Sequence, residues 1–166
     1  MNLEKLNMLP ITQATHTFMQ CCTASTWVNA MVKARPFSDT LAIVQQADLT
    51  WQTLGEADYL EAFEGHPQIG NVATLREKYA NTKALASGEQ SSMSQATEEV
   101  LVALAKGNAD YLEKFGFIFI VCATGKSAAQ MLALLVARLP NDKAVELANA
   151  AEEQRKIFHL RIEKLL

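Results

Sequence analysis

The 166 residues predict an all-α fold: a single domain, residues 1–166, built as a bundle of roughly eight helices. Apolar side chains recur at three- and four-residue spacing through most of the chain, the period of one helix face. The breaks between these stretches are short and carry Ser, Thr, Gly or Pro, the residues that start and stop helices. One run, Phe117 to Ala123, has the apolar, β-branched content of a buried strand, but no second strand is evident to pair with it. With 49% hydrophobic residues, the chain is long enough to bury one substantial core.

Thr12 is placed to cap a first helix carrying Phe18, Cys21 and Cys22, and Ser25 or Thr26 to cap a second carrying Trp27 and Met31. Arg35-Pro36-Phe37 ends it, because proline lacks the N–H that a helix interior needs. Ser38 then heads a stretch with Leu41, Val44 and Trp51 at helical spacing, and Gly55 precedes a short helix with Ala57, Leu60 and Phe63. Trp27 and Trp51 read as core rather than as a stacking platform. A modest helix near Val72 to Tyr79 follows, then a small polar section, Ala86 to Ser92. From Ser94 onward Val100, Leu101, Leu104, Tyr111, Leu112 and Phe115 mark an amphipathic helix that Gly116 stops.

Phe117 to Ala123 is expected to form an extended segment or a short helical turn, with backbone amides that a ligand is placed to use. The Gly125-Lys126-Ser127 tripeptide beyond it is not a phosphate loop, since Ile120 stands where such a loop needs its first glycine. Ser127 instead caps a helix bearing Met131, Leu134, Leu135 and Leu139, and a last helix runs from about Asp142 to Leu165.

The net charge of -3 and pI near 5.6 argue against a nucleic-acid partner, which requires a basic stripe, and leave small anions held by local arginines. The longest apolar run is too short to span a bilayer, and Met1 to Lys5 contains no basic segment ahead of an apolar core, so a cytoplasmic protein without a membrane partner is expected. Cys21, Cys22 and Cys122 are an odd number with no CxxC. They predict buried free thiols, with neither a disulfide framework nor a metal site.

Two places invite chemistry. In Gly65-His66-Pro67-Gln68-Ile69-Gly70 a helical pattern stops: glycine supplies the end, and Pro67 biases His66 toward extended backbone. Histidine titrates near neutral pH, so a rigidly held ring is a candidate proton carrier; the plainer reading, which this stretch alone favours, is a side chain capping the preceding helix. In the last helix, one face reads Leu147, Ala151, Gln154, Phe158, Arg161 and Leu165, so that Gln154 and Arg161 interrupt an apolar stripe. A guanidinium there needs either a carboxylate, for which Glu89 is a candidate, or an anionic ligand. The pattern leaves both open.

Taken together, these motifs resemble the OHCU decarboxylase family. The resemblance covers nearly the whole chain: Trp51 with Leu60-Glu61-Ala62-Phe63, the His66-Pro67-Gln68-Ile69-Gly70 signature, Glu89-Gln90-Ser91, Phe115-Gly116-Phe117-Ile118-Phe119-Ile120, Arg138-Leu139 with Asn141 and Glu146, and Lys156-Ile157 with Leu160-Arg161. No one piece is specific, but their order and spacing together are. The resemblance implies conversion of 2-oxo-4-hydroxy-4-carboxy-5-ureidoimidazoline (OHCU) to (S)-allantoin and carbon dioxide in urate breakdown, by a homodimer that needs no cofactor. It casts His66, Glu89 and Arg161 as catalytic groups. Pro67, Gln90 and the backbone of Phe119, Ile120, Val121, Cys122 and Ala123 match positions that line the family's substrate pocket. The family often has a serine three residues before the glutamate; Ala86 stands there in this chain. The alternative function is a non-catalytic helical interaction domain, in which His66, Glu89 and Arg161 form a buried structural network.

Overall fold

The computed structural model describes residues 1–68, 71–85 and 97–166. They gather into two compact units, one of Met1–His66 with Leu147–Leu166 and one of Pro67–Glu146. The all-α expectation holds, with nine helices and no strand among the described residues.

The first unit contains α1 (Leu3–Met8), α2 (Ile11–Met19), α3 (Ser25–Lys33), α4 (Thr40–Gln52), α5 (Glu56–Glu64) and all but the first turn of α9 (Lys143–Leu165). Its core is aromatic at the centre. Trp27 lies 5.1 Å from Phe158, Trp51 meets Phe158 edge-on at 5.6 Å, and Phe18 meets Trp27 edge-on at 6.2 Å. Such offset and edge contacts suit the quadrupoles of the rings. Each indole N–H is also satisfied, Trp27 donating to the Ala47 carbonyl and Trp51 to the Ala151 carbonyl, both at 3.1 Å. The reading of both tryptophans as core is correct.

Helix α1 goes beyond the roughly eight helices expected, and its cause is tertiary. Six residues are too few to form an independent helix. Asn2 accepts from the Lys5 N–H at 2.9 Å at its start, and Arg35 donates through Nη1 to the Leu6 and Leu9 carbonyls at its end. The Asn7 amide meanwhile exchanges two 2.9 Å hydrogen bonds with the backbone of Phe37.

Three expected caps are displaced. Thr12 lies inside α2, which starts after Pro10 without a side-chain cap, and Cys21 and Cys22 lie beyond the helix's end, though both are buried. Ser25 opens α3 with no capping bond, its hydroxyl donating instead to Glu61 at 3.1 Å. Asp39, rather than Ser38, caps α4 by accepting from the Ala42 N–H at 2.8 Å. That helix buries Ile43, Ala47, Thr50 and Trp51, while Leu41 is 64% exposed; the inward face is one step round from the one predicted.

The second unit contains α6 (Val72–Leu85), α7 (Glu98–Phe115), α8 (Ala128–Arg138) and the start of α9. Thr97 caps α7 by accepting from the Val100 N–H, and Gly116 ends it in the left-handed region at φ 79°, where glycine alone carries no Cβ penalty. Ser127 caps α8 reciprocally with Gln130, as the sequence predicts. Between them, residues 117–123 adopt neither helix nor strand.

Gly65 ends α5, but not through a left-handed backbone: its φ is -70°. The reason for glycine is Thr23, whose side chain occupies the space a Cβ would need and whose hydroxyl donates to the Glu61 and Ala62 carbonyls at 3.1 and 3.3 Å. Gly65→Ala is therefore expected to destabilise the protein by about 1–3 kcal/mol through overpacking, and by less when Thr23→Ala is made as well. Urea denaturation of the double-mutant set measures it; equal losses in both backgrounds would exclude the steric cause.

Candidate active site

His66 follows directly on α5, its N–H donating to the Phe63 carbonyl at 3.1 Å, so its backbone continues the helix's hydrogen bonding while its side chain leaves the helix. The ring does not cap α5. Its Nε2 lies 2.5 Å from Oε1 of Gln154, a residue wholly buried on α9. This contact gives Gln154, which the sequence marks only as an interruption of the apolar stripe, a defined partner. Burial lowers the pKa of His66 below its ordinary 6.5 and the positive charge of Arg161 lowers it further, against the hydrogen bond to Gln154, which raises it. The ring is thus kept neutral near pH 7, the form that accepts a proton.

Arg161 lies seven residues after Gln154, two turns along the same face of α9. Among the described residues, the partners of its Nη1 are main-chain oxygens. That nitrogen donates to main-chain carbonyls just past the end of α2, to Cys21 at 3.1 Å and more loosely to Gln20 at 3.5 Å. Cations are favoured at a helix C-terminus, where carbonyls point outward unpaired. One end of the guanidinium is thereby anchored, and its Nε and Nη2 have no hydrogen-bond partner among the described residues. The Cys21 and Cys22 thiols beside it are pushed up to about 11 and about 12 by burial, so both stay protonated at neutral pH and are poor nucleophiles.

In the second unit, the non-helical segment is held by a buried ion pair. Glu146 is fully buried and accepts from Arg138 Nε and from the Tyr111 hydroxyl, each at 2.7 Å, and from the Asn141 amide at 3.0 Å. Arg138 continues through Nη1 to the Ile120 carbonyl at 2.7 Å and lies over the Phe119 ring at 4.6 Å. Lys126 donates to the Cys122 carbonyl through Nζ and to the Ala123 carbonyl through its backbone N–H. Carbonyls that would otherwise lack partners are thus served by cationic side chains and a turn, which is how an apolar run keeps a non-helical backbone without strand pairing.

Beside this segment a depression of about 300 Å³ is lined by Pro67, Gln68, Asn108, Leu112, Ile118 and Phe119, among others. Pro67 and Phe119, which the resemblance assigns to substrate binding, are among the residues lining this depression. Ile120 is buried, while Val121, Cys122 and Ala123 are partly exposed outside its lining. Glu89, Gln90 and Ala86 lie outside the described residues. The Tyr111–Arg138–Glu146 network has no periodic signal, and the sequence marks it only through Arg138, Asn141 and Glu146 among the residues that carry the family resemblance. Among the described residues, no three His, Cys, Asp or Glu side chains are gathered as metal ligands would be, and no helix is long and apolar enough to cross a membrane.

The sequence model of the OHCU decarboxylase family matches residues 7–163. The chain is 37% identical over 145 residues to a uric acid degradation bifunctional protein of Arabidopsis thaliana, an alignment covering 87% of this chain and 45% of that protein. It is 23% identical to a 2-oxo-4-hydroxy-4-carboxy-5-ureidoimidazoline decarboxylase of Haloferax volcanii, with 98% and 94% covered. The chain spans less than half the length of the Arabidopsis protein and 32% of a Bacillus bifunctional protein that it also matches. Among solved structures, a crystal structure of OHCU decarboxylase in the presence of (S)-allantoin superposes with a TM-score of 0.72 at 36% identity, covering 89% of this chain and 95% of that one.

Arg138→Met is expected to cost about 3–5 kcal/mol, because it leaves the buried Glu146 carboxylate without its guanidinium. Replacing Glu146 as well, by Met, is expected to recover part of that loss. Chemical denaturation checks both; a loss below about 1 kcal/mol for the single variant would mean that the pair does not secure the segment.

Proposed function

Because this chain belongs to the OHCU decarboxylase family, whose sequence model spans residues 7–163, we propose that it decarboxylates OHCU to (S)-allantoin and carbon dioxide with His66 as the proton carrier. The observation that carries this reading is a half-buried imidazole, depressed in pKa and hydrogen-bonded through one nitrogen to a buried amide. The match crosses the boundary between the two compact units, which supports treating residues 1–166 as one functional domain.

The substrate's own structure supplies the electron sink. Its carboxylate sits on a carbon that also bears a hydroxyl and adjoins an imine. When the bond to the carboxyl carbon breaks, the electron pair enters the ring C=N. The ring nitrogen takes up a proton, the hydroxyl loses its proton as the carbonyl forms, and the ring carbon bearing the ureido group takes a proton on one face. No pyridoxal, thiamine or metal is needed for that flow of charge. His66 moves the hydroxyl or ring-nitrogen proton, and Glu89 orients it or holds the ureido and ring N–H groups.

Arg161 receives negative charge from the substrate. Its anchoring on the Cys21 carbonyl supports this role, because a guanidinium fixed at Nη1 loses little freedom when its other N–H groups bind an oxygen. It accelerates the reaction only through an oxygen that gains charge in the transition state; a grip on the departing carboxylate alone stabilises ground and transition states alike. By resemblance, Pro67, Gln90 and the backbone of residues 119–123 are assigned to binding the ring and ureido group. The proposal extends to a cytoplasmic homodimer, on the family resemblance.

His66→Asn is expected to lower kcat by about 10²–10⁴-fold in a protein that still folds. Allantoin formation, with uricase and hydroxyisourate hydrolase supplying fresh substrate, measures it, and near wild-type turnover by a folded variant would remove His66 from the mechanism. The pH dependence follows from the lowered pKa. His66 loses its ability to accept a proton as pH falls through its folded pKa, so the acidic limb of wild-type kcat/KM should lie below pH 6.5.

A further inference from the structure

Gln154 contacts His66 through an atom that has no hydrogen to give. The amide oxygen is an acceptor only, so at 2.5 Å the shared hydrogen belongs to the imidazole: Nε2 donates, and in the neutral ring the lone pair is on Nδ1. The amide is wholly buried, and its own NH2 has no partner among the described residues. Of the described groups, therefore, the ring is the one that holds the amide, and the amide defines the ring's protonated nitrogen. We propose that Gln154 is the positioning residue of this active site, holding His66 in the Nε2–H tautomer so that Nδ1 takes and returns the substrate's proton. This rests on His66 being the proton carrier.

An amide suits this task better than a carboxylate. It accepts from Nε2–H in both the neutral ring and the imidazolium, so the contact persists while Nδ1 gains and loses its proton, and no dipole must turn during turnover. A carboxylate in its place would add a full negative charge and stabilise the imidazolium, leaving the ring protonated when a base is required. Among the described residues, the charged group acting on the ring is instead Arg161, whose sign opposes protonation.

Nitrogen-15 NMR of the histidine-labelled full chain tests the assignment, with kinetics on two variants. The wild-type protein above pH 6.5 should show an unprotonated Nδ1 on His66 and a hydrogen-bonded Nε2–H resonance protected from exchange. Gln154→Leu should lose that resonance and about tenfold to hundredfold in kcat, with KM changing much less. Gln154→Glu, nearly the same shape, should raise the pH at which His66 titrates and move the acidic limb of kcat/KM upward with it. A wild-type ring protonated on Nδ1 would overturn the proposal, as would a folded Gln154→Leu that keeps both the resonance and kcat. If Gln154→Leu does not fold, Gln154→Met takes its place in the same measurements. The NMR readout needs no turnover, so it separates this proposal from the assignment of His66: an active His66→Asn would refute that assignment whichever tautomer is seen.

Discussion

A buried amide must find a hydrogen-bonding partner, and Gln154 finds His66. Leaving such a group unsatisfied costs about 1–3 kcal/mol on protein mutational evidence, so the contact is an energetic constraint on where α5 must end relative to α9. The surroundings of His66 comply with it. Thr23 packs where a Cβ of residue 65 would be and holds the last carbonyls of α5, and Trp51 reaches the Ala151 carbonyl one turn before Gln154. The ring that emerges is placed by its neighbours on both sides.

That placement makes the chemistry economical. A histidine in water is about evenly charged near pH 6.5. Here burial and the guanidinium of Arg161 both favour the neutral ring, while the amide opposite stabilises an N–H without contributing a charge. Arg161 is drawn to the carbonyls beyond α2 rather than to a carboxylate among the described residues, so its charge remains uncompensated by that anchorage. A neutral base beside a fixed cation is an arrangement fitted to a substrate that is an anion and must surrender a proton. In the second unit the logic is reversed: Arg138 and Glu146 neutralise each other, and the work of the pair is to hold a segment without secondary structure.

Much of this was legible in the residues. Helical spacing identified the class, and composition identified the core: Trp27, Trp51, Phe63 and Phe158 are all buried as an apolar stripe requires. Gly116 and Ser127 carried backbone signals that do not depend on distant partners, and both act as read. Thr12, Ser25 and Ser38 misled because capping residues were abundant near each start and the choice among them is made by tertiary contacts, as when Ser25 turns to Glu61. Helix α1 was invisible for the same reason, being held by Arg35 from 26 and 29 residues away.

The candidate site was legible in part. The unusual members of the last helix's stripe, Gln154 and Arg161, were visible as anomalies, yet their partners were not, because a hydrogen bond to His66 across 88 residues or to the Cys21 carbonyl across 140 leaves no local pattern. Pro67 and Phe119 were placed by resemblance and do line a depression. The central claim is that this site directs one face of a decarboxylation. Circular dichroism of the product, followed while OHCU is generated in place, tests it most directly. The expected result is accumulation of the (S)-allantoin signal faster than spontaneous racemisation erases it. Racemic allantoin formed at the rate seen without the protein would contradict it.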